Sequence, residues 1–160
     1  MIHPVNPGII EFSSETAPIF FLAGEDDDLE SIKCARSWAG LRNRIRFFRQ
    51  TDFAIAMLQG ALFSSHPEEA TPLMVIIKRP ASTWFGLDLL NWLRSNASLH
   101  EVPVLVLADA SHAYDVKRCL DLGANACWDA PETMEAWIQF FSNIKTAFET
   151  AESRALAIDN

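Results

Sequence analysis

The chain has 160 residues, 49% of them hydrophobic, and a formal net charge of −8 at pH 7. That length supports one well-buried domain and leaves too little for two. The acidic balance argues against nucleic acid, which needs Lys and Arg clustered on one face, and no apolar run approaches the roughly 20 residues of a membrane span.

The N-terminus lacks a basic region followed by an apolar run and a small-residue cleavage site, so no signal peptide is expected. Three cysteines, Cys34, Cys119 and Cys127, stand at unrelated spacings that make neither a disulfide framework nor a zinc set. A cytoplasmic protein is expected. Residues 1–17 read as an N-terminal arm, 18–150 as the domain and 151–160 as a C-terminal tail; Ile9-Ile10 offer a strand or a clamp, but the Pro and polar residues around them favour a loose arm.

Ile19-Phe20-Phe21-Leu22 reads as the first strand. Acidic Glu25 to Asp28 lead into a helix carrying Leu29, Ile32, Ala35 and Ala39, with Gly40 as its C-cap. Ile45, Phe47 and Phe48 form a second strand, and the alternating Arg42, Arg44, Arg46 and Arg49 read as its solvated edge. Phe53, Ile55, Ala56 and Met57 lie on a second helix that closes near Gly60. Leu73-Met74-Val75-Ile76-Ile77 is a continuous apolar, β-branched run of the kind buried on both faces of a parallel sheet.

Lys78-Arg79-Pro80 follow that run, and Gly86 opens a helix patterned on Leu87, Leu90 and Leu93. Val102 to Leu107 gives strand four. A helix with Ala113, Val116, Cys119 and Leu120 ends at Gly123. Ala126-Cys127-Trp128 is a short fifth strand, and Pro131 precedes a long helix repeating Met134, Trp137, Ile138, Phe141, Ile144 and Phe148. Five βα units in this order predict a three-layer α/β/α, flavodoxin-like, doubly wound five-stranded parallel sheet of order 2-1-3-4-5. Helices one and five should cover one face and helices two to four the other.

Several local motifs carry a family likeness. They are the acidic turn after strand one, Gly86-Leu87 eight positions past Lys78, and Val102-Pro103-Val104-Leu105-Val106-Leu107. Leu122-Gly123-Ala124-Asn125-Ala126 and Pro131 complete the set. On these the chain resembles the response regulator receiver (CheY-like) family over roughly residues 17–150, most like its small stand-alone members. The resemblance implies a phosphoryl-accepting site at the C-terminal ends of the strands, and here that site is degenerate. The acidic residues that hold Mg²⁺ fall around Gly24 and Glu25, leaving Glu25 or Asp26 as ligands. The phosphoacceptor position holds Lys78, the switch hydroxyl position holds Ala108, the clamp lysine position holds Ala130 and the aromatic switch position holds Cys127.

Phosphoryl transfer to a carboxylate needs that carboxylate, a divalent cation bridging it to the phosphoryl oxygens, and an opposing cation. A lysine at the acceptor position repels the metal, and alanines donate no side-chain hydrogen bond. Lys78 is expected to pair with Glu25 or Asp26 and fill the vacated pocket. No catalytic residue, metal or cofactor is expected. The implied function is a phosphorylation-independent pseudo-receiver that acts by protein contact in two-component phosphorelay signalling. Its partner would be a histidine kinase, an effector, another signalling protein or a second copy.

Two alternatives stand beside it. One is an active regulator phosphorylated on Asp88, Asp109 or Asp129, of which Asp109 and Asp129 lie near strand ends. The other is a flavodoxin-like enzyme or cofactor carrier, for which the glycines show no phosphate-cradling spacing. His3, His66, His100 and His112 show no triad arrangement. For contact surfaces, Trp84, Phe85 and Trp92 form a candidate apolar patch. Asp115, Lys117, Arg118 and Asp121 offer ion pairs on the helix four–strand five–helix five face, ranked first for a dimer.

Overall fold

The computed structural model describes residues 17–65, 71–78, 86–108 and 113–159, with backbone only for 113–115 and 151–159. Strands β1 (Ile19–Leu22), β2 (Ile45–Phe48), β3 (Met74–Lys78), β4 (Val104–Ala108) and β5 (Ala126–Asp129) alternate with five helices. These are α1 (Leu29–Ala39), α2 (Thr51–Leu62), α3 (Leu87–Ser95), α4 (Ala113–Asp121) and α5 (Met134–Asp159). All strand pairs are parallel and the order is β2-β1-β3-β4-β5, as the alternation of apolar runs and amphipathic helices predicts.

The central strands are apolar at every position except Lys78, the last residue of β3, because helices cover both faces. On one face Phe20, Leu22, Val75 and Ile77 pack with Ala54 and Leu58 of α2, the leucines of α3 and Cys119 of α4. On the other, Phe21, Ile76 and Leu107 pack with Ile32 and Ala35 of α1 and with Trp137, Phe141 and Ile144 of α5. Trp137 stacks at 5.9 Å on Phe141 and lies 5.9 Å from Phe21, tying the start of α5 to the middle of the sheet.

Local chemistry explains the ends of the elements. Asp28 caps α1 by accepting from the Ser31 amide at 3.2 Å and the Ser31 hydroxyl at 2.7 Å. Gly40 ends α1 in the left-handed region at φ 77°. Gly86 opens α3 at φ 83°, and a Cβ there would lie 2.3 Å from the Ile77 Cγ2 atom, so only glycine fits.

Several apolar helix positions face out. In α2 the buried residues are Ala54, Leu58 and Ala61, whereas Phe53 and Met57 are exposed, and the helix continues past Gly60 to Leu62. The apolar residues of α2 run nearly all the way round, so composition could not single out the buried side. Leu120 and Met134 are likewise exposed, with Leu122 and Phe140 turned to the core instead. The last helix runs on through 151–159, the segment read as a tail, for a length of about 39 Å at 1.5 Å per residue. Among the described residues no helix is long and apolar enough to cross a membrane. Ile9 and Ile10 lie outside the described residues.

Candidate functional site

Parallel strands end together, and the β1, β3, β4 and β5 termini form one edge of the sheet. Lys78 is the last residue of β3 and Ala108 the last of β4. Ala130 follows β5 and its amide donates to the Ala108 carbonyl at 3.1 Å, which sets the two alanines side by side. The acidic turn Glu25–Asp28 leaves β1 at the same edge. The topology therefore gathers the acidic turn, Lys78, Ala108 and Ala130. Cys127 sits lower in β5, partly buried against the α2–α4 layer.

Lys78 points into this edge, and its Nζ lies 2.6 Å from Asp27 Oδ1. The expectation that Glu25 or Asp26 would be its partner is corrected: both are exposed at the tip of the turn, and Asp27 turns inward. The reason lies in the turn's own hydrogen bonds. Asp27 Oδ2 accepts from the Gly24 amide at 2.7 Å, a bond back to the amide three residues earlier that closes the turn and holds this carboxylate at the sheet edge. The next residue, Asp28, is held away by its capping duty, and its Ser31 partners keep its carboxyl below the usual range, the hydroxyl most of all.

A second cation secures the turn, and sequence reading assigned it to a solvated strand edge. Arg49, just past β2, donates to the Gly24 carbonyl and, at 3.3 Å, to the Asp27 carbonyl. The signal for Asp27 was present in the run Glu25-Asp26-Asp27-Asp28, but four adjacent carboxylates carry no mark of which one faces in. Below Lys78 and Asp27, a cavity of about 470 Å³ is lined by Ser31, Ile32, Pro131, Thr133 and Trp137, among others.

This donor set does not fit the divalent cation that receiver chemistry uses. The inward carboxylate already has one oxygen on an ammonium and the other on an amide, and the guanidinium of Arg49 adds positive charge to the same turn. A metal entering here would meet Lys78 at contact distance. Among the described residues no three His, Cys, Asp or Glu side chains converge on one point.

Of the alternative acceptors, Asp88 is occupied at the start of α3, where its Oδ1 accepts from Thr51 Oγ1 at 3.1 Å and from the Leu89 amide at 3.0 Å. Asp129 ends β5 on the correct side and is exposed, and Asp109 lies outside the described residues. His3, His66 and His112 also lie outside them. His100 is exposed, with its Nδ1 3.0 Å from the Ala97 carbonyl.

The candidate contact residues divide. Trp92 is partly buried and packs on the α2–α4 layer, because α3 presents leucines on one flank and this indole on the next. Trp84 and Phe85 lie outside the described residues, as does the side chain of Asp115. Lys117 and Asp121 form an exposed pair at 2.9 Å, one turn apart, and Arg118 is exposed beside them. Trp128, 47% exposed, adds an aromatic to that same region and meets Phe140 edge-on at 6.2 Å.

No family model matches this sequence, and no curated protein matches it. Solved structures do. A response regulator in red light signalling of R. palustris superposes with a TM-score of 0.68 at 14% identity, over 80% of this chain and 90% of that one. The phosphorylated cyanobacterial phytochrome response regulator RcpA gives 0.66 at 18% identity, over 84% of this chain and 95% of its own. A response regulator receiver domain from Rhodospirillum rubrum gives 0.66 at 22% identity, over 84% and 94% respectively. With its strand order, its layers and these likenesses, the chain has the fold of a response regulator receiver domain.

Proposed function

We propose that this chain is a phosphorylation-independent pseudo-receiver, a non-enzymatic protein-interaction module of two-component signalling. One observation carries the reading: a lysine stands where the fold places a phosphoacceptor carboxylate, and it is held 2.6 Å from the carboxylate that would otherwise face a metal. Ala108 and Ala130 support it, since neither supplies the hydroxyl or the ammonium that would hold a phosphoryl oxygen. A receiver works by shifting between two states when the phosphoryl group arrives. A permanent ion pair at that position holds one state and leaves output to surface contact with a kinase, an effector or another signalling protein.

Incubation with acetyl phosphate and Mg²⁺, followed by intact-mass measurement, tests the proposal. The mass is expected to stay unchanged. A stable gain of one phosphoryl group on any aspartate, Asp129 included, refutes it in favour of an active regulator. Lys78→Asp alone is expected to restore metal binding without restoring full phosphorylation, since Ala130 still lacks the clamp.

A further inference from the structure

The outer face of α2 has no role in the site above, and it departs from what a surface helix shows. Phe53, Ala56, Met57 and Gly60 share it at helical spacing and Phe63 follows at the C-cap, and all of them are exposed. Phe53 is 62% and Phe63 89% exposed. This is a second apolar stripe, opposite the one that packs on the sheet, and a helix apolar on both sides is one that expects to be covered. With 150–250 Å² available per aromatic side chain, the two phenylalanines alone present roughly 300 Å² of apolar surface. Between them lie Met57, 36% exposed, and the small residues Ala56 and Gly60, where a Cβ on the glycine would meet nothing within 4 Å. The shape is a shallow saddle with a ring at each end.

The flank of the saddle is cationic. Arg46 shares the β2 face with Phe48, which packs on the α2 layer, and Arg44, whose carbonyl continues the pairing to Ile19 just before β2, falls on the same side, so both lie beside α2, with Arg42 in the loop before them. All three are exposed, and none pairs with a carboxylate among the described residues. In a chain of net charge −8 this local reversal of sign is the opposite of a solubilising average.

We infer that the α2 face with its arginine row docks an acidic amphipathic helix of a partner protein. The apolar stripe of that helix would lie in the saddle between Phe53 and Phe63, and its carboxylates would meet Arg44 and Arg46. A second copy fits less well. A two-fold axis that lays α2 antiparallel on its copy returns both arginine rows to the same side, cation against cation. The inference does not depend on whether the pocket takes a phosphoryl group.

The test uses the full chain and a fluorescein-labelled 18-residue helical peptide with leucines at i, i+3, i+4 and i+7 and glutamates on both flanks. A control peptide carries lysines in place of the glutamates. Anisotropy is expected to show micromolar binding of the acidic peptide, weakening with salt, and at least tenfold weaker binding of the basic one. The variants Phe53→Ser/Phe63→Ser and Arg44→Glu/Arg46→Glu should each weaken the acidic peptide at least tenfold while keeping the parent melting curve. Absence of binding, equal binding of both peptides, or binding unchanged in either variant overturns the inference. It is equally overturned if the face instead holds anionic phosphatidylserine vesicles, or a concentration-dependent dimer that Phe53→Ser breaks.

Discussion

Removing Asp27 rather than Lys78 is the sharper probe of the locked pocket. The pair is close, 2.6 Å, and its side chains keep 23% and 13% of their surface, so it is neither bulk-exposed nor sealed. At an effective dielectric near 20 the gross attraction is about 6 kcal/mol, against a desolvation penalty of several kcal/mol per ion. The net coupling should be a small remainder, about 1.5 kcal/mol. Asp27→Asn keeps the shape, but an amide offers one acceptor oxygen to two donors, the Gly24 amide and Lys78. One of them is left unmet, at a cost of about 2 kcal/mol. Lys78→Met leaves Asp27 its bond to Gly24 and a route to water, and should cost about 1 kcal/mol.

In the double variant the unmet charge disappears, so about 1.5 kcal/mol is expected where simple addition gives about 3. At roughly 3 °C per kcal/mol for a chain of this length, the melting temperature should fall by about 6 °C, 3 °C and 5 °C in turn. Urea melts of all four proteins at one salt concentration supply the cycle. Additivity within about 0.5 kcal/mol would mean that the pair contributes nothing and does not hold the site in one state.

Gly86→Ala forces a Cβ into the left-handed region and against Ile77, which is fully buried and cannot swing aside. A loss of about 3 kcal/mol is expected in urea unfolding, and a loss below 1 kcal/mol refutes the clash. Arg94 staples α3 to the chain around β4: its guanidinium donates to the carbonyls of Gly123, His100 and Val102 and to Asn125 Oδ1, all at 2.8–2.9 Å. Arg94→Met should destabilise by about 3 kcal/mol, and Arg94→Lys should recover little of it, since one ammonium cannot reach a fork of four acceptors. Asp28 titrates below the ordinary carboxylate value when folded, so its capping contribution is complete above the unfolded value near 3.9 and is lost as pH falls through the lower folded one. The melting temperature of Asp28→Asn, which caps without titrating, should therefore decline less between pH 5 and pH 2 than that of the parent.

Much of the fold was legible in the residues themselves. Ile19–Leu22, Val75–Ile77 and Val104–Leu107 are apolar without alternation, which only a sheet covered on both faces explains, and Gly40 and Gly86 mark helix ends by a backbone geometry other residues resist. The loss of the carboxylate at position 78 was legible as well, because it is a matter of identity at one position. Tertiary structure decided the rest, wherever neighbouring residues of one chemistry compete. Four consecutive carboxylates follow β1, and only the Gly24–Asp27 closure selects Asp27 over Glu25 and Asp26 for Lys78. Most of α2 is apolar, and only its docking on β1 and β2 turns Ala54 and Leu58 inward and leaves Phe53 and Met57 outside. Local sequence sets which elements form, through periodicity and caps. Which of several like side chains faces inward is a property of the surfaces that meet, and those surfaces come from residues far apart in the chain.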